Sequence, residues 1–415
     1  MQANLVVIGA SYAGVQIAAS VREQGHEGRV VMVGDEHAEP YHRPPLSKAF
    51  LAGNYDPGRL QLRSPAFFEE ARIELRSGVR AVRVDRAAHT VELDDGSRLP
   101  YDKLAFATGA RPRRLDCDGA GLRGVHYLRS LRDAAELAIE MLSARSAVVV
   151  GGGYIGLEVA ASLVKAGVAV TVVEAAERVL ARVSSPWMSA FVDQVHRDQG
   201  VRFALGRKVA AVRGEQGQVR GVELDDGTLL ACDLVVAGIG IEPNVELAAD
   251  CGLAVQGGIL VDQMARTSDP DIVAAGDCAS FRCVWMPPGT PACRIESVQN
   301  ANDMARTAAA TLVGRTEPHV SLPWFWSDQY DLKLQMAGLS AGATEYAVRG
   351  SVEQRKFSVF YFRGEHLAAV DSVNRPQDHM LARKLLAARV PVEPAQARDA
   401  GFDLKSLLAS TAEAR

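Results

Sequence analysis

Two glycine-rich turns, each between a short apolar strand and a helix, constrain the fold of this chain more than any other feature. The first turn spans residues 9–14 after the apolar run 4–8, and the second spans residues 151–156 after the apolar run 147–150. In a strand–turn–helix unit, such a turn brings backbone N–H groups and the positive end of the helix dipole to an anionic pyrophosphate. The sequence therefore predicts two dinucleotide-binding sites.

The first turn departs from the usual pattern at one position. Ser11 stands where a second glycine is preferred between Gly9 and Gly14, but serine is small enough to let the backbone approach a phosphate. The turn therefore fits either a dinucleotide site or a plain strand–helix connection. Asp35 follows the next strand, residues 30–33, at the distance where an acidic side chain accepts hydrogen bonds from ribose hydroxyls.

The second turn is a complete GxGxxG, with Gly151, Gly153 and Gly156 at its three glycine positions. Glu174 ends the following strand, where its carboxylate would accept from the 2′-hydroxyl of an adenine ribose and repel a 2′-phosphate. NADH is thus favoured over NADPH, although Arg178 nearby leaves NADPH open.

An internal duplication accompanies the two turns. Residues 91–112 and 222–243 agree at 10 of 22 positions without gaps, and each contains an Asp-Gly hairpin turn followed by a strand that ends in glycine. Two similar dinucleotide domains imply two dinucleotides, of which one can be held permanently and the other exchanged.

Composition narrows the class of protein. With 48% hydrophobic and 23% charged residues among 415, the chain is an ordinary globular protein, and its net charge of −4 argues against a broad nucleic-acid or anionic-membrane surface. The run 5–8 has no preceding basic residues, so we interpret it as a strand and not as a signal peptide. Six scattered cysteines without a CxxC favour a cytoplasmic protein with free thiols, and nine dispersed histidines predict no metal site.

Several motifs carry a resemblance to a known family. They are residues 41–48 (YHRPPLSK), 107–109 (ATG), 151–158 (GGGYIGLE), 276–279 (GDCA), 294–300 (RIESVQN) and 324–329 (WFWSDQ). Over nearly the whole chain, the sequence resembles the flavoprotein reductases with two dinucleotide-binding domains, and most closely the NADH-dependent ferredoxin reductases of bacterial oxygenase and cytochrome P450 systems. The resemblance implies an α/β fold of two Rossmann-like, glutathione-reductase-type domains and a C-terminal α+β domain.

The resemblance also implies how the chain divides. A discontinuous FAD-binding domain would comprise residues 1–108 and 241–320, with the NAD-binding domain, residues 109–240, inserted between them. Breaks at Pro112 and Pro243 agree with crossovers at these points. From residue 321 to 415, alternating strands and then a helix predict the third, α+β domain.

The family's FAD contacts fall on the first turn and on later segments. They are Gly9, Ser11, Tyr12, Ala13, Gly14, Asp35, Arg43, Lys48, Ala81, Thr108, Gly109, Arg129, Asp277 and Val298. Lys48 follows a Pro-Pro pair that restricts the backbone, and the family places its ammonium beside the flavin; an exposed loop lysine is the alternative. Asp277 follows a strand end and would bind the ribityl hydroxyls of FAD, or else serve only as a helix N-cap.

The family's NAD contacts and catalytic residues overlap in part. The NAD contacts are Gly151, Gly153, Tyr154, Ile155, Gly156, Glu158, Glu174 and Gly240. Lys48, Glu158 and Trp326 are the predicted catalytic residues. The Lys48 cation would stabilise the charge that arrives with the hydride. Glu158 would lie near the nicotinamide carboxamide, or only favour the helix dipole. Trp326 would lie at the flavin edge that faces the electron acceptor, or belong to the core.

Cysteine placement indicates how electrons leave the flavin. Disulfide reductases of this fold carry a redox CxxxxC beside the flavin, near residues 40–50 here, and that segment has no cysteine. Cys278 and Cys283 do form a CxxxxC, but it begins at the ribityl end of the site. We therefore expect direct transfer to a docked protein acceptor. Arg306, and less strongly Arg294, are the predicted docking cations.

The sequence therefore predicts an FAD-dependent oxidoreductase that takes hydride from NADH and passes single electrons to a [2Fe–2S] ferredoxin. That ferredoxin would feed a cytochrome P450 or a ring-hydroxylating dioxygenase. Two alternatives stay open. One is a reductase of rubredoxin or of another one-electron acceptor on the same fold. The other is a flavin-bound, redox-sensing interaction protein like apoptosis-inducing factor.

Overall fold

The first stretch of chain builds a parallel sheet and a small antiparallel one. The computed structural model describes residues 3–53 and 57–413. In chain order the elements of this stretch are β1 (Leu5–Ile8), α1 (Tyr12–Glu23), β2 (Val30–Gly34), two 3-10 turns (Pro44–Ser47 and Pro57–Leu60), α2 (Pro65–Glu70), β3 (Ile73–Ser77), β4 (Ala81–Asp85), β5 (Thr90–Leu93), β6 (Arg98–Pro100) and β7 (Lys103–Phe106).

The second stretch repeats this plan. Its elements are β8 (Ala110–Pro112), β9 (Val125–Tyr127), α3 (Leu131–Met141), β10 (Ser146–Val150), α4 (Tyr154–Lys165), β11 (Ala169–Glu174), α5 (Pro186–Asp198), β12 (Arg202–Leu205), β13 (Val209–Glu215), β14 (Gln218–Leu224), β15 (Leu229–Ala231) and β16 (Leu234–Ala237).

The rest of the chain first returns to the initial sheet and then forms a separate antiparallel one. The returning segment contains β17 (Ile241–Pro243), α6 (Glu246–Asp250), β18 (Ile259–Leu260), β19 (Ile272–Ala274), β20 (Ala279–Ser280) and α7 (Val298–Leu312). The last segment contains β21 (Trp324–Gln329), β22 (Leu332–Gly338), β23 (Glu345–Ser351), β24 (Lys356–Arg363), β25 (His366–Val373), α8 (Pro376–Ala387), α9 (Pro394–Arg398) and α10 (Ser406–Glu413).

Two five-stranded parallel sheets organise the first two thirds of the molecule. Their strand orders are β19-β7-β1-β2-β3 and β12-β11-β10-β16-β9. Because β19 belongs to the returning segment, the chain leaves the first sheet after β7 and re-enters it after the second sheet is complete. The antiparallel pair β8–β17 joins the two crossover strands. The strands of the second sheet therefore lie, in sequence, between β7 and β19 of the first sheet.

Burial on both faces explains why these strands pair in parallel. β1 reads LVVI and β10 reads SAVVV, and the apolar residues of both strands are buried. Such β-branched apolar runs favour strands that are covered by helices on both sides. The glycine-rich turns follow the carboxyl ends of β1 and β10, which is the edge where open parallel sheets bind ligands.

The third part of the chain forms one antiparallel sheet of order β21-β22-β25-β24-β23. α8 packs against β25 and β22. The hairpin between β24 and β25 turns at Gly364. β21 is a full edge strand, whereas the sequence indicated only a run of aromatic residues there. None of the helices in the described part of the chain combines the length and apolar character needed to cross a bilayer.

Candidate active site

A cavity of about 1760 Å³ lies where the three parts of the chain meet. The second glycine turn, residues 151–156, forms one wall. Arg129 and Asp277, which the sequence assigned to the other dinucleotide, line the same space, and Trp324 and Phe325 of β21 line it from the third sheet. Residues predicted to hold two different dinucleotides therefore meet around one cavity.

The second turn has the shape that a pyrophosphate site needs. Gly151 has a φ of +108°, which favours glycine, and a Cβ at Gly156 would collide with the Gly151 carbonyl oxygen. A Cβ at Gly153 would meet no protein atom within 4 Å. It would instead stand in the open space at the N-terminus of α4, where backbone N–H groups lack helical partners. Tyr154 and Ile155 open that helix and line the cavity.

Glu174 is fixed beside this turn by backbone hydrogen bonds. Its Oε2 accepts from the N–H of Gly152 at 2.6 Å, and its Oε1 accepts from the N–H of Ala176 at 2.8 Å. The carboxylate lines the cavity, where its fixed negative charge opposes a second anion. Three basic residues, Arg182, Arg207 and Lys208, also line the cavity, as does Gly240.

The first turn packs in the same way but is not part of that cavity wall. A Cβ at Gly14 would collide with the Gly9 carbonyl oxygen, so both turns need glycine for close approach of helix and strand. Ser11 Oγ accepts from Arg43 Nε at 3.3 Å. The hydroxyl of Tyr12 lies 2.8 Å from His42 Nδ1, and Ala13 is buried behind the turn.

A cluster of charges surrounds the first turn. Arg43 donates to Oε1 of Glu36 at 2.5 Å and to the carbonyl oxygen of Arg129 at 2.7 Å. Arg129 in turn donates to Asp277 at 3.0 Å. Burial alone would lower the pKa of Arg43, but the neighbouring Tyr41 and Glu36 raise it above its ordinary value. The cluster thus presents fixed guanidinium groups at the place predicted for the FAD pyrophosphate.

The other predicted FAD contacts lie on further segments, of which Gly109 is the nearest to the cluster: a Cβ there would stand 3.5 Å from a terminal nitrogen of Arg129. Asp35 is exposed and paired with Arg80 at 3.1 Å, next to Ala81 at the start of β4. Thr108 Oγ1 donates to the carbonyl oxygen of Asn244 at 2.7 Å, which ties the two crossovers together beside Gly109. Val298 is the first residue of α7, directly after the cavity-lining Ser297.

Glu36 is a candidate site residue that the sequence did not distinguish, because the adjacent Asp35 occupies the expected position. Its carboxylate accepts from Arg43 and also from the hydroxyl of Tyr41, at 2.5 Å. The signal was present, because Glu36 directly follows Asp35 at the end of the second strand of the unit. Only the turn of the chain beyond β2 decides which of two adjacent carboxylates faces inward.

Lys48 and Glu158 form a buried ion pair between the two nucleotide-binding units. Lys48 Nζ lies 2.7 Å from Glu158 Oε2, and it also donates to the Pro44 carbonyl oxygen at 3.1 Å and to Ser47 Oγ at 3.4 Å. All three ammonium protons therefore have acceptors. The Glu158 carboxylate is 1% exposed and also accepts from Ser47 and Ser327, each at 2.6 Å. The structure thus brings together two of the three predicted catalytic residues.

Trp326 lies on the opposite face of β21 from Phe325 and Ser327, because successive side chains of a strand alternate. Its ring is half-buried, with its centroid 5.8 Å from that of Trp324, which lines the cavity. Phe325 also lines the cavity, with its ring 5.0 Å from that of Tyr154. Trp326 itself is not among the residues that line the described cavity.

The two predicted docking cations differ in how exposed their side chains are. Arg306 is on α7 with 56% of its side chain exposed, paired with Asp303 at 2.7 Å. The Arg294 side chain is 19% exposed and is held by Glu296 and by the Gly257 carbonyl oxygen. Arg383 stacks over Trp324 with its guanidinium carbon 4.4 Å from the ring centroid, which adds a cation beside the aromatic edge.

A buried carboxyl that the sequence did not reveal lines the cavity from the third sheet. Asp371 is 7% exposed, and its Oδ2 accepts from the hydroxyl of Tyr361 at 2.9 Å. Burial raises the pKa of Asp371 to about 7. Tyr361 lies 2.9 Å from the hydroxyl of Ser185, the N-cap of α5, so this contact joins the third sheet to the second unit. Nothing in the alternating pattern of β25 distinguishes Asp371 as a site residue.

The thiols of the described chain are all free. Cys278 is fully buried and donates to the carbonyl oxygens of Phe106 and Ala275. Burial raises the pKa of Cys278 and that of Cys283, so neither thiol is poised as a thiolate nucleophile. In the part of the chain that the structure describes, no group of three or more metal-ligating side chains comes together.

Comparisons with known proteins find matches over nearly the whole chain. The family described as pyridine nucleotide-disulphide oxidoreductase matches residues 3–305, and the reductase C-terminal family matches residues 324–408. Rhodocoxin reductase of Rhodococcus erythropolis is 48% identical over 406 residues, which cover 98% of this chain and 94% of that protein.

Solved structures agree with these matches. The ferredoxin reductase for the CYP199A2 system from Rhodopseudomonas palustris has a TM-score of 0.94 at 45% identity, over 97% of this chain and 99% of its own. Putidaredoxin reductase in its covalent complex with putidaredoxin also has a TM-score of 0.94, at 42% identity, over 99% of both chains.

Proposed function

The chain belongs to the pyridine nucleotide-disulphide oxidoreductase family, and from this membership we propose that it works as an NADH-dependent ferredoxin reductase with bound FAD. The predicted family and the predicted α/β fold class are confirmed. The enzyme is an oxidoreductase, its cofactors are FAD and NADH, and its protein partner is a ferredoxin of an oxygenase system.

One observation carries this function. Arg129 and Asp277, from the group around the first glycine turn, line the same cavity as the second turn, residues 151–156. Hydride transfer needs the two reacting rings in contact, which is possible only where both dinucleotide sites open into one space. The shared cavity fits that requirement. FAD, when bound, supplies the conversion between the two-electron chemistry of NADH and the one-electron chemistry of an iron–sulfur protein.

The residues of the chain have distinct proposed roles. We assign the FAD pyrophosphate to the first turn with Arg43, and the NADH pyrophosphate to the N-terminus of α4. Glu174 would orient the adenine ribose of NADH. Lys48, held by Glu158, would provide the fixed cation beside the flavin. Phe325 and Tyr154, in ring contact, would exclude water from the nicotinamide end of the cavity.

The proposed site of electron exit is the edge of β21 and α7. Trp326 and Trp324 present an aromatic surface there, and Arg306 and Arg383 supply positive charge. An acidic ferredoxin would be attracted to such a surface, and long-range attraction of this kind raises association rates at low salt. NADH is a cytoplasmic electron donor, and we propose the cytoplasm as the site of the reaction.

Anaerobic titration with NADH tests the proposal directly. The visible flavin absorbance of the purified protein should bleach with one equivalent of NADH. Oxidised [2Fe–2S] ferredoxin, added next, should reoxidise the flavin and restore this absorbance. A reductase of rubredoxin would restore the absorbance with rubredoxin but not with ferredoxin. An interaction protein would keep its flavin reduced in both cases.

A further inference from the structure

A chain of buried side chains leads from the Lys48–Glu158 pair into the second and third parts of the molecule. Ser327 donates to Glu158 Oε1 at 2.6 Å, and Gln329 Nε2 donates to Ser327 Oγ at 3.1 Å. Gln329 Oε1 lies 2.9 Å from His196 Nε2. His196, Ser327 and Gln329 are each at most 1% exposed, so water does not replace these hydrogen bonds.

The hydrogen bonds that link these buried side chains all point in the same direction. An amide oxygen only accepts, so His196 Nε2 donates to Gln329 Oε1 and the imidazole Nδ1 is left to accept. The hydroxyl of Tyr330 lies 3.1 Å from that Nδ1 and donates to it. Burial lowers the pKa of His196 and raises that of Tyr330, which keeps the imidazole neutral and the phenol protonated. Each donor thus points toward the Glu158 carboxylate.

Such an arrangement has a physical consequence at its end. Hydrogen bonds that polarise one another strengthen along a chain, and a bond that ends on an ionised carboxylate is stronger than a neutral one. A buried carboxylate oxygen that accepts no hydrogen bond costs free energy of folding. Ser327 donates to Oε1 of Glu158, the oxygen that Lys48 does not contact. The position of Glu158, and through it that of Lys48, therefore depends on a strand of the third sheet.

We propose that Ser327, Gln329 and His196 are positioning residues that hold Glu158 and thereby fix the Lys48 ammonium at the flavin site. The inference rests on the proposed function, because it assigns Lys48 to the flavin. It gives the third part of the chain a role in tuning the flavin as well as in docking a partner. None of the three residues needs to touch FAD or NADH.

A double-mutant cycle on the flavin midpoint potential tests this inference. The holoenzyme is titrated with dithionite and a reference dye, which requires neither NADH nor ferredoxin. In Ser327→Ala the loosened Lys48 cation should stabilise the reduced flavin less. The reduced-to-oxidised ratio at fixed potential should fall at least about threefold, which is about 15 mV for a two-electron couple. Ser327→Thr, which keeps the hydroxyl, should restore most of the potential.

The same substitution is then made in a Glu158→Gln background. If Ser327 acts through Glu158, Ser327→Ala should change the potential no further there. Ser358→Ala is the matched control, because Ser358 is also fully buried in the third sheet and bonds to Ser372 and Asp378 instead. Gln329→Met, which leaves Ser327 in place, should give a smaller fall than Ser327→Ala.

Two results would overturn the inference. One is an unchanged potential in both Ser327→Ala and Gln329→Met, and the other is an equal fall in the wild-type and Glu158→Gln backgrounds. If the proposed function were wrong instead, the wild-type holoenzyme would fail to pass electrons from NADH to ferredoxin, whatever the cycle showed. The two failures are therefore distinguishable.

Discussion

Arg129 donates to the carboxylate of Asp277 across 3.0 Å, although 148 residues separate them in the chain. The pair closes the cluster around the first glycine turn, which we assign to FAD. Purified protein should therefore be yellow with FAD bound non-covalently. Asp277→Ala should weaken FAD binding about 10- to 100-fold, as expected for the loss of a hydrogen bond to a charged group.

Gel filtration followed by the ratio of flavin to protein absorbance measures this retention. Asp262→Ala, an exposed aspartate of the returning segment, is a suitable control and should keep its flavin. Apoprotein reconstituted with FMN should be inactive, because FMN lacks the adenosine end. Equal activity with FMN would contradict the assignment of the first turn to a dinucleotide.

Coenzyme preference follows from Glu174. Because backbone N–H groups of Gly152 and Ala176 fix its carboxylate, Glu174 cannot swing away from a 2′-phosphate. NADH should exceed NADPH at least about tenfold in kcat/KM, equivalent to about 1.4 kcal/mol. Steady-state kinetics with both coenzymes checks this. Glu174→Ala should reduce the preference, and wild-type enzyme that uses both coenzymes equally would show that Glu174 does not read the ribose.

Buried Asp371 makes stability depend on pH. Its pKa is raised from 3.8 to about 7, so the folded state binds a proton that the unfolded state releases. The contribution of the group to stability is complete below about pH 4 and is lost as the pH rises through about 7. By this linkage the loss is at most about 4 kcal/mol.

Asp371→Asn removes this dependence, since the amide oxygen can still accept from Tyr361. The gain of the variant over wild type in thermal midpoint should be larger at pH 8 than at pH 5, because wild type has lost only part of the Asp371 contribution by pH 5. Asp331→Asn, which alters an exposed carboxylate of the same part of the chain, should shift the midpoint equally at both pH values. A constant gap between Asp371→Asn and wild type would mean that Asp371 stays ionised in the folded protein.

The two glycine turns could be predicted because only glycine satisfies their geometry, and that requirement is written in the local sequence. The resemblance predicted Lys48 and Glu158 as separate site residues, but it did not predict their ion pair, since 110 residues separate them in the chain. The contact between Ser327 and Glu158 could not be predicted, for a further reason. The register of β21 decides that Ser327 points toward Glu158 while Trp326 points away, and a run of aromatic residues does not show which face is buried.

Substitutions on the proposed docking surface should slow electron transfer to a protein acceptor but not to a small one. Trp326→Ala and Arg306→Glu should leave ferricyanide reduction near wild type, whereas ferredoxin-dependent cytochrome c reduction should fall several-fold in both variants. Only Arg306→Glu should also lose part of the salt dependence of that reaction. Arg132→Glu is the matched control, because Arg132 is also an exposed arginine paired with an acidic residue on its own helix.

Parallel loss of both activities would mean that Trp326 and Arg306 support the flavin or the fold. If neither activity falls, the docking surface lies elsewhere on the molecule. The salt dependence distinguishes the two residues, since only the arginine contributes long-range attraction.

The central claim is that electrons pass from NADH through bound FAD to a ferredoxin. Anaerobic stopped-flow mixing of the FAD-loaded enzyme, NADH and a [2Fe–2S] ferredoxin tests it most directly, with flavin and iron–sulfur absorbance followed together. The flavin should bleach before the ferredoxin, and each NADH should reduce two ferredoxin molecules, because one hydride carries two electrons. A reduced flavin that persists beside oxidised ferredoxin would contradict the account.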